Sequence, residues 1–320
     1  MLAVMLLTAI CPASGQKIVK LHHLIDSVLL ARYWRADIDT NYITRPKTKI
    51  TLMGRLNEYG AHVRSMGIHE GQHFETKLQA NFKGTVSVGV SYLGVSLNLA
   101  LNPAKLLGKY RDYELGFRSY GRRFGFEIAY QDAKTFTGWI EMGGVRQDIT
   151  DSDDLFRLRT LNLNAYYVFN HRRFSYPAAF SHSYIQRRSA GSFLLGASAQ
   201  GQHGEITNEI PVKYKITNIA LGAGYGYNFV PGRNWLLHIS ALPTFIAFSN
   251  NSYTLGDDKT SLHYEFPEFI ITTRGSVVKQ IEPNMFAGLS VVYNYTKIGD
   301  ADLSFRNQKW LARLYFGFRL

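Results

Sequence analysis

The chain ends on a segment, Trp310 to Leu320, whose side chains alternate strictly between two faces. Trp310, Ala312, Leu314, Phe316, Phe318 and Leu320 share one face, and Arg313, Tyr315, Gly317 and Arg319 the other. A period of two is the geometry of a β-strand. A soluble sandwich also makes one apolar and one wet face. In a membrane barrel the apolar face meets lipid and the arginines line a polar lumen.

The rule repeats along the chain, and repetition favours the barrel. From Thr217 to Phe229, Ile219, Leu221, Tyr225, Tyr227 and Phe229 oppose Asn218, Gly222, Gly224, Gly226 and Asn228. Leu161, Leu163, Ala165, Tyr167 and Phe169 oppose Asn162 and Asn164; Leu289, Val291, Tyr293 and Tyr295 oppose Ser290, Asn294 and Thr296. The polar members, Arg313, Tyr315, Arg319, Asn218, Asn228, Asn162 and Asn164, are the candidate lumen-facing residues.

Between Val86 and Leu101 the phase slips beside Gly94, which requires a β-bulge or a tight turn near Tyr92 to Gly94; the bulge is the preferred reading. Further strands are expected over 49–59, 74–82, 113–119, 124–130, 139–145, 192–200, 235–248 and 267–278. The expected fold is all-β, a transmembrane antiparallel barrel of about 12 strands over 49–320. A soluble periplasmic β-sandwich that binds a ligand is the alternative. Pro231-Gly232-Arg233-Asn234 and Glu282-Pro283-Asn284 read as compact periplasmic turns, whereas Tyr176 to Ala190 and Asn250 to Glu265 are long enough for external loops. Trp139, Trp235 and Trp310 suit aromatic girdles at the two interfaces.

The opening of the chain follows different rules. Leu2 to Ile10 is an apolar run too short to span a membrane, and Ala13-Ser14-Gly15 offers small residues before a cleavage point, so 1–15 reads as a signal peptide. The one cysteine, Cys11, lies inside it, preceded by Ile10 rather than the small residue of a lipoprotein signal. From 16 to 48 comes a periplasmic or plug segment, with Ile18, Leu21, Leu24, Ile25, Val28 and Leu29 at helical spacing. Export to the outer membrane of a Gram-negative bacterium follows.

Mean hydropathy is −0.14, which excludes a bundle of membrane helices but not a barrel. The net charge of +12 is scattered rather than clustered, so nucleic acid is not an expected partner. Arginine pairs at strand ends suit lipid headgroups, lipopolysaccharide or anionic solutes.

No metal, cofactor or catalytic set is assigned. His69-x-x-x-His73 has zinc-like spacing but encloses Gly71, and Asp148 to Asp154 lacks the glycine and glutamate of an EF-hand loop. There is no G-x-S-x-G elbow and no phosphate-binding loop. His238 and Ser240 share a strand face and read as lumen polar groups. A non-enzymatic channel, transporter or envelope component is therefore expected, with a hydrolase acting on lipid or peptide as the alternative.

The stretch Tyr167 to Ala197, YVFNHRRFSYPAAFSHSYIQRRSAGSFLLGA, resembles a family of Bacteroidota outer-membrane proteins known as domain of unknown function 4421. Its specific parts are Phe174 to Phe180 and Gln186 to Ser192, and Asp39-Thr40-Asn41-Tyr42-Ile43 is similar to the family's opening. The resemblance implies export and a barrel, and no activity. The aromatic-rich end also fits recognition by the barrel-assembly machinery. Within the stretch, a basic loop carries Arg172, Arg173, Arg187 and Arg188; a surface or periplasmic loop is the preferred reading, and an inward fold that narrows the lumen the other.

Overall fold

The computed structural model describes residues 27, 30–31, 37–69, 71–93, 95–101, 113–134, 136–150, 156–207, 212–255, 258–261, 267–299 and 303–320. The expected signal peptide with Cys11 and the expected helix lie outside them, except for Ser27, Leu30 and Ala31, which are helical. Asp39–Leu320 forms one compact unit.

Its strands are β1 (Ile43–Thr44), β2 (Ile50–His69), β3 (Gln72–Tyr92), β4 (Val95–Leu101), β5 (Tyr113–Tyr120), β6 (Phe124–Ala133), β7 (Phe136–Met142), β8 (Val145–Ile149) and β9 (Phe156–Val168). Helix α1 (Tyr176–Phe180) and β10 (Ile185–Gln186) follow. The rest are β11 (Ala190–Ile206), β12 (Val212–Gly232), β13 (Trp235–Ser249), β14 (Ser252–Leu255), β15 (Asp258–Ser261), β16 (Phe269–Glu282), β17 (Met285–Gly299) and β18 (Leu303–Arg319). Twelve of them, β2 to β6, β9, β11 to β13 and β16 to β18, close a ring of antiparallel neighbours, sealed by β18 on β2. A sheet that closes on itself is not a sandwich, so that alternative falls. Closure leaves no unpaired edge, which is what a strand structure in lipid requires.

Three expectations are corrected. Tyr92 pairs with Val95, so the phase slip is a tight hairpin turn with Leu93 at φ 50°, not a bulge. The segment expected as a strand over 139–145 is instead a hairpin, β7 and β8, turning at Gly143 (φ 57°) and Gly144 (φ 80°); positive φ at both positions is the two-residue turn that glycine favours. β7 continues the wall beside the first half of β3, past the end of short β4. The third correction concerns residues 176–190. They lie at the end that carries the turns at Leu93, 233–234 and 283–284 and the C-terminus, here called the turn end. The described residues of the other long connection, 250–255 and 258–261, lie at the opposite, loop end, where β14 and β15 form a hairpin on the start of β12.

Along most strands the apolar face changes sides once. In β9, Phe156 and Leu158 point inward and are buried, and Arg157 and Arg159 point outward. Beyond Thr160, Leu161 and Leu163 are on the exposed outer face and Asn162 and Asn164 face in. The pairing of β9 with β11 runs unbroken from Phe156–Ile206 to Val168–Leu194, so the chemistry inverts while the register does not. The same inversion separates buried Phe305 from exposed Leu314, Phe316 and Phe318 in β18, and buried Ile216 from exposed Ile219 and Leu221 in β12.

The result is two stacked regions. Toward the turn end an apolar outer belt runs around the ring, through Leu56, Val88, Leu97, Phe126, Leu163, Leu195, Leu221, Ile239, Leu289 and Leu314. Toward the loop end the outer face is charged, with Arg64–Glu75 (2.6 Å) and Lys213–Glu205 (3.5 Å) pairs. Inside that end lies one dry cluster containing Val63, Leu78, Phe136, Ile149, Phe156, Leu158, Ile216, Ile246, Ile298 and Phe305. β3 and β12 have 21 residues each, on the order of 70 Å along the strand, far more than a strand of about ten residues that spans a bilayer.

Candidate functional site

The interior of the turn-end region is filled by residues 174–186, which fold back into the barrel as a plug. Asn170 starts the reversal: its carbonyl accepts from Phe174 N (2.9 Å), and its amide donates to Gly191 O (2.8 Å). Ser175 caps the short helix α1 by accepting from Ala178 N, with Pro177 at the first turn, a position that needs no donor. Ser181 N and His182 N both donate to Pro177 O, and His182 turns the chain out at φ 57°. Gln186 then staples the return. Its Oε1 accepts from Ser175 N (2.9 Å) and Asn228 Nδ2 (3.0 Å), and its Nε2 donates to Arg173 O and Arg188 O. β10 pairs with β1, which ties the plug to residues 39–44.

Phe174, Tyr176 and Phe180 pack into the wall against Tyr120, Tyr166, Val168, Leu194 and Leu242. Gly226 makes room: a Cβ there would press on Phe174. Of the β12 glycines, Gly226 thus leaves space that the plug occupies, whereas Gly222 and Gly224 lie close against the backbone of β13.

A polar chain crosses this packing. Asn228 Nδ2 donates to Ser175 O and Gln186 Oε1, so its Oδ1 accepts from His238 Nδ1 (2.7 Å). That fixes His238 Nε2 as the acceptor for the Ser240 hydroxyl (3.0 Å). Ser240 Oγ lies 3.2 Å from Tyr176 OH, which accepts from Arg274 Nη1 (3.2 Å). Arg274 Nη2 reaches Glu127 Oε2 (2.8 Å), and Glu127 Oε1 accepts from Tyr120. At the barrel's lower rim, Arg319 donates to His182 O (3.0 Å), Gln280 Oε1 (2.8 Å) and Pro283 O, and lies over the Phe286 ring. His182, on the plug rather than on a wall strand, has its pKa held well below the usual histidine value by burial and then by the Arg319 and Arg55 guanidiniums.

Above the plug is a chamber of about 150 Å³ lined by Arg118, Glu127, Asn162, Asn164, Gln200, Arg274, Asn294, Lys309 and Arg313, among others. The dry cluster roofs it. Of the sequence candidates, Arg313, Asn162 and Asn164 line this chamber. Asn228, Tyr315 and Arg319 meet the plug, Tyr315 through the His182 ring at 5.0 Å. Asn218 is buried beside Gln200 in the adjacent strand. The basic loop does not join them: Arg172, Arg173, Arg187 and Arg188 are exposed at the rim, where Arg173 pairs with Asp39 (3.3 Å). The preferred reading of that loop is corrected, because the segment between the arginine pairs does fold inward. Sequence reasoning passed over Glu127, Arg274, Tyr176 and Gln186. The first two carry a readable signal, a charged residue at inward parity between exposed Phe126 and Ile128 for Glu127 and the single charge between Phe269 and Val278 for Arg274. The histidines of the zinc-like spacing flank a hairpin, with His69 paired to Gln72, and share no helix.

The profile of the family described as Domain of unknown function (DUF4421) matches residues 37–320. The chain belongs to that family. No curated protein matches it. Among solved structures, it is similar to the Escherichia coli outer membrane protease OmpT, at 8% identity and TM-score 0.44, over 87% of this chain and 98% of that one. It is also similar to the Pseudomonas putida toluene transporter TodX (5%, TM-score 0.33, 91% and 93%) and to the transport unit of the Escherichia coli autotransporter AIDA-I (12%, TM-score 0.33, 90% and 96%).

Proposed function

We propose that this member of the family is an outer-membrane barrel that is shut at both ends, a non-enzymatic envelope component rather than an open diffusion channel. The observation that carries the reading is the double closure: a hydrogen-bonded plug fills the turn end and a dry core fills the loop end. The apolar belt sits in lipid, with the turn end toward the periplasm and the charged collar outside, meeting lipopolysaccharide. Export by a cleaved signal peptide and insertion by the barrel-assembly machinery belong to the same reading. Any transport through the ring requires the plug and the roof both to yield.

The test is fractionation of the expressed full-length protein, with heated and unheated gel samples, followed by planar-bilayer recording. Recovery in the outer membrane with a heat-dependent mobility shift and no steady conductance is expected. Recovery as a soluble monomer, or a large constitutive conductance, overturns the reading.

A second reading, a hydrolase, rests on Ser240, His238 and Asn228, which stand as nucleophile, base and orienting amide. Against it, all three are buried, and the Tyr176 hydroxyl lies against Ser240 Oγ. Labelling of Ser240 by a fluorophosphonate in the wild-type barrel, abolished by His238→Ala, decides for it; no labelling decides for the plug anchor.

A further inference from the structure

The apolar belt on the outer wall is not smooth. Across β12, β13, β16 and β17 the strand register sets its outward side chains in rows. One row is Tyr227, Ile239, Gly275 and Val291, and the next toward the turn end is Phe229, Leu237, Val277 and Leu289. Gly275 interrupts the first row. A Cβ there would meet His238 O at 3.8 Å and no other atom within 4 Å, so the space above the glycine is open. The two rows surround a cleft of about 370 Å³ whose lining is almost wholly apolar. His238 and Ser276 form part of its floor, with their side chains turned inward to Asn228 and to Ala179 O.

The two ends of the cleft differ in charge. Toward the loop end the next row is Tyr225, Ala241, Thr273 and Tyr293, which is uncharged. Toward the turn end it is Trp235, Lys279 and Ala287. Lys279 Nζ lies 4.5 Å from the centre of the Trp235 ring, a cation–π contact that holds the ammonium at the edge of the belt. The adjoining turns carry Arg233 and Glu282, one charge of each sign, so Lys279 sets the sign of this corner. Gly275 and Lys279 are separated by about 13 Å along one strand, at about 3.3 Å per residue. An apolar chain laid on Gly275 therefore passes Lys279 as it leaves the cleft. Lipid tails are as apolar as the wall, so occupancy gains from contacts that the open gap would forfeit, and the lysine selects the headgroup.

We propose that this cleft seats one acyl chain of an anionic phospholipid of the leaflet at the turn end, with the lipid phosphate on Lys279. The inference rests on the outer-membrane reading in that the belt lies in lipid, and it is independent of the plug and the roof.

The experiment titrates the full-length barrel in detergent with dioleoyl phosphatidylglycerol, read by native mass spectrometry, with dioleoyl phosphatidylcholine as the control. One phosphatidylglycerol retained per barrel is expected, several times more tightly than phosphatidylcholine. Lys279→Gln is expected to weaken retention about fivefold, which corresponds to about 1 kcal/mol for one basic side chain at a membrane surface. Gly275→Leu fills the cleft and is expected to weaken retention severalfold, with a retained heat-dependent mobility shift verifying the fold; Lys279→Gln serves alone if that variant does not fold. No retained phosphatidylglycerol, equal retention of phosphatidylcholine, or retention unchanged in either folded variant overturns the site. A dimer that Gly275→Leu breaks overturns it in favour of a second copy of the chain. A barrel that retains no phosphatidylglycerol yet stays heat-modifiable and non-conducting loses this inference and keeps the closed-barrel reading, whereas a water-soluble monomer loses both.

Discussion

The two ends of the barrel solve opposite problems with the same strands. Toward the turn end, outward-facing leucines and phenylalanines leave the inside polar, and that interior is filled by a folded loop and the buried Arg274–Glu127 pair. Toward the loop end the outside is charged and the inside is a dry cluster, as in a soluble barrel. The comparison teaches that the ring itself is indifferent to which face is apolar: antiparallel pairing satisfies the backbone in either medium, and the side chains alone choose the medium. It also says how each half is stabilised. The loop end rests on apolar burial, worth about 1.5–3 kcal/mol per large side chain, and the turn end on a polar network that is costly to break at one member.

One strand gives the sharpest test. Phe156→Arg places a charge in the dry roof, against Phe136 at 4.6 Å, and is expected to cost more than about 4 kcal/mol, read as protease cleavage at the loop end. Leu163→Arg puts the same charge on the outer belt, at an expected cost of about 2–4 kcal/mol if the site lies near mid-membrane, read as a lower yield of heat-modifiable barrel. Equal behaviour of the two variants would erase the distinction between the halves.

On the wall facing the plug, Arg274→Met strands Glu127 and is expected to destabilise the barrel by about 3–5 kcal/mol in denaturant, while Arg274→Met/Glu127→Leu recovers most of the loss. No recovery would mean that the pair does not act as a unit. Acid should loosen the plug and spare the roof. His182 has a folded pKa below its unfolded value, so its contribution is complete above about pH 6.5 and is lost as pH falls below that, by about 1.4 kcal/mol per pH unit. Protease access to residues 172–188 should rise between pH 7 and 5, and His182→Gln should flatten that dependence. The smallest effect is Arg64→Ala in the exposed collar, at most about 1 kcal/mol because the Arg64–Glu75 pair is solvated.

Strand termini show where the sequence stops being legible. Thr217 to Phe229, Leu161 to Phe169 and Trp310 to Leu320 are readable because each keeps one apolar face. Each real strand also runs several residues further toward the loop end: β12 begins at Val212, β9 at Phe156 and β18 at Leu303. There the apolar residues move to the other parity, and an alternation rule that holds phase constant ends the strand at the switch. A rule that permitted one inversion would have recovered Phe156, Ile216 and Phe305 as inward. The plug was hidden for a different reason. Ser175-Tyr176-Pro177 announces a turn, but nothing local says on which side of the ring that turn packs.

The sequence by itself favoured an antiparallel β-barrel over the sandwich and offered seven polar positions for its interior, because period-two patterning assigns each residue of a strand to a face. Only the tertiary structure decided that the interior is shut. The contacts that shut it join residues far apart in the chain, Asn228 to Ser175, Arg274 to Glu127 and Arg319 to His182, and their energy comes from excluding water around groups that no local pattern brings together.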